Sequence, residues 1–339
     1  MGLIGRLFGV KGAREAPRDE EVGQLVARVI ELSPRLRLAR GHEAQLRTGM
    51  AKALAHLREL VAEFPQAHVA SATAWNADPS IKAFFASPDD IGMVLSRSSE
   101  LSTFFEQAPG AQEASAVLGM GMNERKTLGV ALEGDRTRSD VAQTTLSFCD
   151  HQIRICAASD DDLRKEIVRR LVDQLAIEGL SRIAANTDRR EVLEQEHALL
   201  ATRLRLLERQ GRGMRSVIGG DGEVDAGELA RLRERLEEND NALKGLGTRS
   251  EALDRELEGM CEVFAQASQL IRVTARRLRL SPMNVVLPEQ GASEGHLLDL
   301  QIARVPGDPP RERAFALVRV SRGDVPKPRN LLDEAARLL

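Results

Sequence analysis

"ELARLRERLEENDNALKGLGTRSEALDRELEGM", residues 228–260, decides the fold. Leu229, Leu232, Leu236, Asn239, Leu243, Leu246, Ser250, Leu253, Leu257 and Met260 recur at alternating steps of three and four. The pattern runs on through Phe264, Ala267, Ile271, Thr274 and Leu278. Twelve of these fifteen positions are apolar, which marks a heptad seam rather than an ordinary amphipathic stripe. Ser281-Pro282 closes the run, because the residue before a proline is pushed out of the helical region.

A matching arm lies upstream. Ser159 followed by Asp160, Asp161 and Asp162 is a helix start, with an N-cap hydroxyl and acids in the first turn. The seam there reads Ile183, Asn186, Arg190, Leu193, His197, Leu200, Leu204 and Leu207. Folding the arms back so that paired residue numbers sum to 436 sets Leu207 against Leu229, Leu204 against Leu232, and Leu200 against Leu236. The same register sets His197 opposite Asn239 and Asn186 opposite Ser250. Such matched polar layers fix register. The spacing therefore predicts an antiparallel hairpin from residues 160–210 and 226–280, each arm roughly 75 Å long at ~1.5 Å per residue. Gly245 and Gly247 predict a bend or fraying at that height. Pairing of the same seam between two chains is the open alternative.

The turn between the arms, "GGDGEVDAGEL" (219–229), echoes the second half of a calcium-binding EF-hand loop. Aligning Gly222 with the sixth loop position puts Glu228 at the twelfth. Val217 and Gly219 then fall at positions one and three, where oxygen ligands belong. Residues 211–225 are read as the tip of an arm, not as a calcium site.

Around the hairpin the chain divides into three further segments. Residues 1–18 form a basic amphipathic start and linker: Leu3, Ile4, Leu7 and Phe8 share one helical face beside Arg6 and Lys11. Residues 19–158 are expected to be mostly helical. Ser33-Pro34 interrupts the first helices, and Asp78-Pro79, Ser87-Pro88 and Ser98 or Ser99 start three short ones. "EASAVLGMGMNERKTLGVALEG", about residues 111–132, is read as another helix. Residues 283–339 carry β-like runs, "NVVL", "HLLDLQIARV" and "RAFALVRVSR", and a closing helix "NLLDEAARLL". The expected fold is mainly α with a small mixed α+β part, a long antiparallel coiled-coil-like helical hairpin projecting from a compact head.

The stretch with the most reactive side chains is "TTLSFCDHQIRIC", where Cys149, Asp150 and His151 are adjacent and Cys156 follows. Neighbours on a strand point to opposite faces, so adjacency alone makes no triad. The spacing of Cys149, His151 and Cys156 lacks the paired ligand motifs of a zinc site. The expected structure is a β-hairpin with Asp150-His151 at or near its turn. Arg136 and Arg138 are candidate phosphate contacts in a solvated loop.

A net charge of −3 gives no bulk attraction to nucleic acid, which is not expected as a partner. Three cysteines do not make a disulfide framework and point to a reducing compartment. No apolar run reaches the ~20 residues of a membrane span. No P-loop, GxGxxG, HExxH or GxSxG pattern occurs, so no cofactor and no metal are expected. The expectation is a non-enzymatic, bacterial-type cytoplasmic scaffold or adaptor. It contacts proteins through its helical arm or tip, with Leu3, Ile4, Arg6, Leu7, Phe8 and Lys11 as candidates for weak contact with the inner membrane surface. The competing reading is an enzyme or ligand-binding protein with its site near Cys149, Asp150 and His151.

Overall fold

The computed structural model describes residues 19–133, 136–218, 226–248, 251–288, 295–307 and 309–326. The expected amphipathic start, residues 219–225 of the expected tip, Ser250 and the expected closing helix lie outside the described residues; residues 211–218, expected in the tip, continue the helix that ends at Ile218.

The chain order is α1 (Asp19–Leu32), α2 (His42–Ala62), β1 (His68–Val69), α3 (Pro79–Phe84), α4 (Pro88–Ser96), α5 (Ser99–Gln107), β2 (Glu113–Glu133) and β3 (Arg136–Ala157). It continues with α6 (Asp160–Ile218), α7 (Ala226–Gly245), α8 (Ala252–Ala265), α9 (Ala267–Leu270), β4 (Arg272–Leu280), β5 (Val286–Leu287), β6 (His296–Val305) and β7 (Arg311–Ser321). These elements form two units. One holds residues 53–174 and 266–326, and the other holds 19–52 and 175–265. The first helices thus belong with the long helices, and residues 266–282 belong with the strands.

The first unit is built on a seven-stranded sheet of order β3-β2-β7-β6-β4-β5, with β1 beside β7. All pairings are antiparallel except that of β1 with β7. An isolated bridge joins Thr145 of β3 to Val285 just before β5, so the two ends of the strand order also meet. One face is set by alternation: Ala114, Ala116, Leu118 and Met120 on β2, then Ala314, Ala316, Val318 and Val320 on β7. These pack with Leu298 and Leu300 of β6 and with Ile81, Phe84, Phe85, Ile91, Leu95 and Leu101 of α3–α5. Full burial of each large aliphatic or aromatic side chain is worth about 1.5–3 kcal/mol. On β7 the alternate residues Phe315 and Leu317 are buried too, and Phe315 meets Phe64 edge-on at 5.0 Å. A strand buried on both faces fits its place in the middle of the sheet.

Two sequence expectations are corrected here. Residues 113–133 are a strand, not a helix. Ala, Leu, Met, Glu and Lys made this stretch look helical despite its internal glycines, but pairing on both sides, with β3 and β7, overrides a weak local preference. Residues 272–280 are also a strand, paired with β6 from Arg272↔Arg304 to Leu280↔His296. The apparent seam positions Thr274 and Leu278 therefore belong to β4 and not to a helical arm.

β2 outlasts β7, so beyond Met120 it pairs with β3 alone. The β2–β3 ladder carries three irregularities, each with one non-glycine residue at positive φ: Asp140 (62°), Asp150 (49°) and Ile155 (43°). Bulges of this kind add twist and re-aim the side chains around them.

The short helices start where the sequence places them. Asp78 caps α3 by accepting from Ser80 N and Ile81 N, and Ser98 caps α5 at Leu101 N. Ser87 and Asp90 make a reciprocal capping box at α4. Helix C-termini are closed by arginines instead. Arg164 donates to the carbonyls of Val61, Phe64 and Pro65 after α2. Arg322 donates to Phe105, Ala108 and Ala111 at the end of α5, its guanidinium 4.7 Å from the Phe105 ring.

The second unit is helical. Val22, Val26 and Val29 of α1, Leu46 and Met50 of α2, Leu175 of α6, and Leu257, Met260 and Phe264 of α8 are buried. α2 and α8 approach closely at Gly49, where an added Cβ would lie 3.3 Å from the Cys261 carbonyl oxygen. The bend expected at Gly245–Gly247 is a full break. α7 stops at Gly245, Gly247 takes φ +77°, and α8 begins at Ala252. The expected continuous returning arm is thus three helices, α7, α8 and the short α9, and a strand. Arg190 of α6 donates to the carbonyls of Leu246 (2.6 Å) and Gly247 (2.8 Å), satisfying acceptors that the ending helix leaves open.

Candidate functional site

Cys149, Asp150 and His151 sit inside β3, not at a hairpin turn. They occupy the second bulge, where Gly119 pairs with Gln152 and Gly121 with Cys149. Asp150 takes φ 49° there, a conformation more usual in turns than in strands. The bulge sends the three side chains to different partners.

The Asp150 carboxylate receives Arg313 at 2.8 Å and Gln152 Nε2 at 2.8 Å, and Arg313 also donates to the Asp150 carbonyl at 2.6 Å. Arg313, then Gln152, holds this carboxyl below the usual carboxylate range. His151 Nε2 donates to the Phe84 carbonyl at 2.8 Å, and its ring stacks on Phe85 at 4.6 Å. Burial pushes its pKa below the ordinary imidazole value, more than the Phe84 hydrogen bond and Asp90 raise it. Cys149 is exposed and its sulfur accepts from Asn123 Nδ2 at 3.4 Å. Burial pushes the Cys156 thiol up to about 12, which leaves it protonated and inert at neutral pH. Nucleophile, base and orienting acid are thus not lined up.

The bulge has a structural use. The carbonyls of Ala83, Phe84 and Phe85, at the end of α3, accept from Asn284 Nδ2 (2.9 Å), His151 Nε2 (2.8 Å) and Trp75 Nε1 (2.9 Å). Three side chains from three parts of the chain close one helix end. The Phe84 ring meets His68 and Phe148 edge-on. Reading the sequence missed His68, whose Nδ1 lies 2.6 Å from Asp78 Oδ2. Asp78 also serves as the α3 cap through its other oxygen, so the pair orders the helix start. Among the described residues, no group of three or more His, Cys, Asp or Glu is placed to hold a metal ion.

In the helical unit, the seam residues predicted to set register are placed as follows. Asn239 is buried, with neither Oδ1 nor Nδ2 bonded within the protein. His197 Nε2 lies 3.0 Å from Asp240 Oδ1, one residue beyond Asn239. Asn186 is exposed at the rim of a cleft of about 610 Å³. Four arginines line that cleft: Arg35, Arg182, Arg190 and Arg255. Each already has an acceptor. Arg35 meets Glu256 (3.5 Å), Arg182 meets Glu178 (2.8 Å), Arg190 closes α7, and Arg255 donates to the Gly245 carbonyl (3.0 Å). An anion entering the cleft would compete with these acceptors for the guanidinium charge.

The long helices α6 and α7 are joined by three ion pairs, of which Glu196–Arg235 and Arg203–Glu228 run in opposite chain directions and Glu208–Arg233 does not continue that order. Arg203 meets Glu228 (2.5 Å), Arg235 meets Glu196 (2.8 Å) and Arg233 meets Glu208 (2.9 Å). Between them Leu200 and Leu232 are buried. The candidate membrane contacts Leu3, Ile4, Arg6, Leu7, Phe8 and Lys11 lie outside the described residues, as do the side chains of Arg136 and Arg138. No helix among the described residues is long and apolar enough to cross a membrane.

Comparison of the chain with protein-family models, with curated proteins and with solved structures returns no match.

Proposed function

We propose that this chain is a non-enzymatic scaffold or adaptor whose working surface is the pair of helices α6 and α7, arranged as an antiparallel, coiled-coil-like arm that contacts other proteins. The observation that carries this reading is the ladder of ion pairs between the two helices, with buried Leu200 and Leu232 between its rungs. The numbers of the bonded residues scatter closely around the sum of 436 that the heptad seam calls for: Arg190 with Leu246, His197 with Asp240, Arg203 with Glu228. The proposed location is the cytoplasm, with the basic amphipathic segment at residues 1–18 providing weak attachment to the inner membrane surface.

An enzymatic reading centred on Cys149, Asp150 and His151 has no comparable support, since each is held by a different neighbour.

The test is affinity capture with full-length protein beside a variant carrying Arg203→Glu, Arg233→Glu and Arg235→Glu. Partners held reproducibly by the native chain and lost with the variant would agree with the proposal. An unchanged or empty catch from both would count against it. Flotation with anionic vesicles, comparing the full chain with one starting at residue 19, tests the attachment separately.

A further inference from the structure

The outer face of α6 carries a second heptad stripe, distinct from the one turned toward α7. Val192, Leu199 and Leu206 follow one another at intervals of seven, and they are 61%, 72% and 56% exposed. One heptad earlier, Ala185 is also exposed. Scattered exposed leucines need no explanation, but large apolar side chains on one heptad line do. Val192 to Leu206 spans ~21 Å of helix.

The charges beside this stripe are sorted along its length. Asp188 and Glu191 flank its first half, and Arg205 and Arg209 its second; all four are exposed. None of the four has an ion-pair partner among the described residues, unlike Glu196 and Arg203, which bond to α7. Such a surface is complementary to itself when reversed. Two copies laid antiparallel about Leu199 bring Val192 of each against Leu206 of the other. Glu191 of each then comes within a turn of Arg205 and Arg209 of the other. A parallel arrangement would set acid against acid and base against base. Arg189 is the one residue that runs against the sorting.

We propose that this face of α6 is a homodimer surface, in which two chains pair antiparallel through the Val192–Leu199–Leu206 stripe. The inference rests on the reading of α6 and α7 as an intrachain pair, because that pairing leaves this face outward. It names a second copy of the chain as a partner of the arm. An interface of this form is isologous, and each contact occurs twice.

Sedimentation velocity of the full-length protein, from micromolar to near-millimolar concentration, tests it. The native chain should move from one to two chains of 37.2 kDa as concentration rises. Leu199→Arg should remain a single chain. Glu191→Arg and Arg205→Glu should each weaken association by roughly tenfold, and combining them should restore most of it. Circular dichroism that matches the native chain shows that each variant is folded. A native chain that is monomeric throughout would overturn the proposal. So would a Leu199→Arg variant that dimerises like the native chain, or a double reversal weaker than either single one. Carbodiimide coupling in Arg203→Lys protein separates the two readings. Coupling to Glu228 within one chain, in a protein that never dimerises, removes only the homodimer. Its failure removes the arm itself.

Discussion

A neutral imidazole suits the place of His151, half-buried on the Phe85 ring with Nε2–H directed at the Phe84 carbonyl. Its pKa in the folded chain lies below the ordinary 6.5, so as pH falls the unfolded chain takes up its proton first. The stability it contributes is whole above about pH 6.5 and is lost as pH drops toward its folded pKa. His296, lowered by burial and then by Lys82, acts in the same direction. The melting temperature should therefore decline from about pH 6.5 downward, and His151→Gln, which keeps a donor but cannot charge, should show a shallower decline. An identical slope would mean that His151 does not titrate as described. Arg322 offers a second test at this scale. Its guanidinium satisfies three carbonyls, so Arg322→Ala should cost about 2–3 kcal/mol in chemical denaturation, with Arg322→Lys recovering only part. A loss below ~0.5 kcal/mol would show that water replaces it without penalty.

At the scale of elements, Asn239 sits on the α7 seam with its side-chain amide buried and bonded to nothing in the protein. An unsatisfied buried amide costs about 1–3 kcal/mol, so Asn239→Leu should raise the unfolding free energy by roughly 1–2 kcal/mol. A destabilised variant would instead point to a bound water that the leucine displaces. The surface ion pairs between α6 and α7 are a different matter. Their side chains are well exposed, so Arg233→Ala should cost under ~1 kcal/mol; the rungs set alignment more than stability.

Sequence reading did best at this scale where signals are local. Asp78, Ser87 with Asp90, and Ser98 all cap the helices their spacing announces. The alternating runs at 296–305 and 311–321 are strands. β2 was misread because Ala114, Ala116, Leu118 and Met120 alternate only weakly among small and flexible residues, and the partners that make them a strand lie far away in sequence. β4 was misread for another reason: steps of three and four through Ile271, Thr274 and Leu278 fit the seam by accident. The bulge at Asp150 had no signal other than its likeness to a turn. The arginine caps had none, because the carbonyls they reach are up to 217 positions away.

For the whole molecule, function is proposed to follow from one mainly structural unit and one helical unit. In the sheet unit, polar groups of catalytic type are occupied in holding strands and helix ends together. In the helical unit, exposed ion pairs link α6 to α7, and the proposed arm leaves a second apolar line of α6 facing outward. The account depends most on whether α6 and α7 of one chain lie antiparallel in the register described. Zero-length carbodiimide coupling, with peptide mapping by mass spectrometry, measures this in full-length protein carrying Arg203→Lys or Arg235→Lys. The account predicts that the new amine at 203 couples to Glu228, and that at 235 to Glu196, inside a single chain. Coupling found only between two chains, or to carboxylates outside this register, would contradict it.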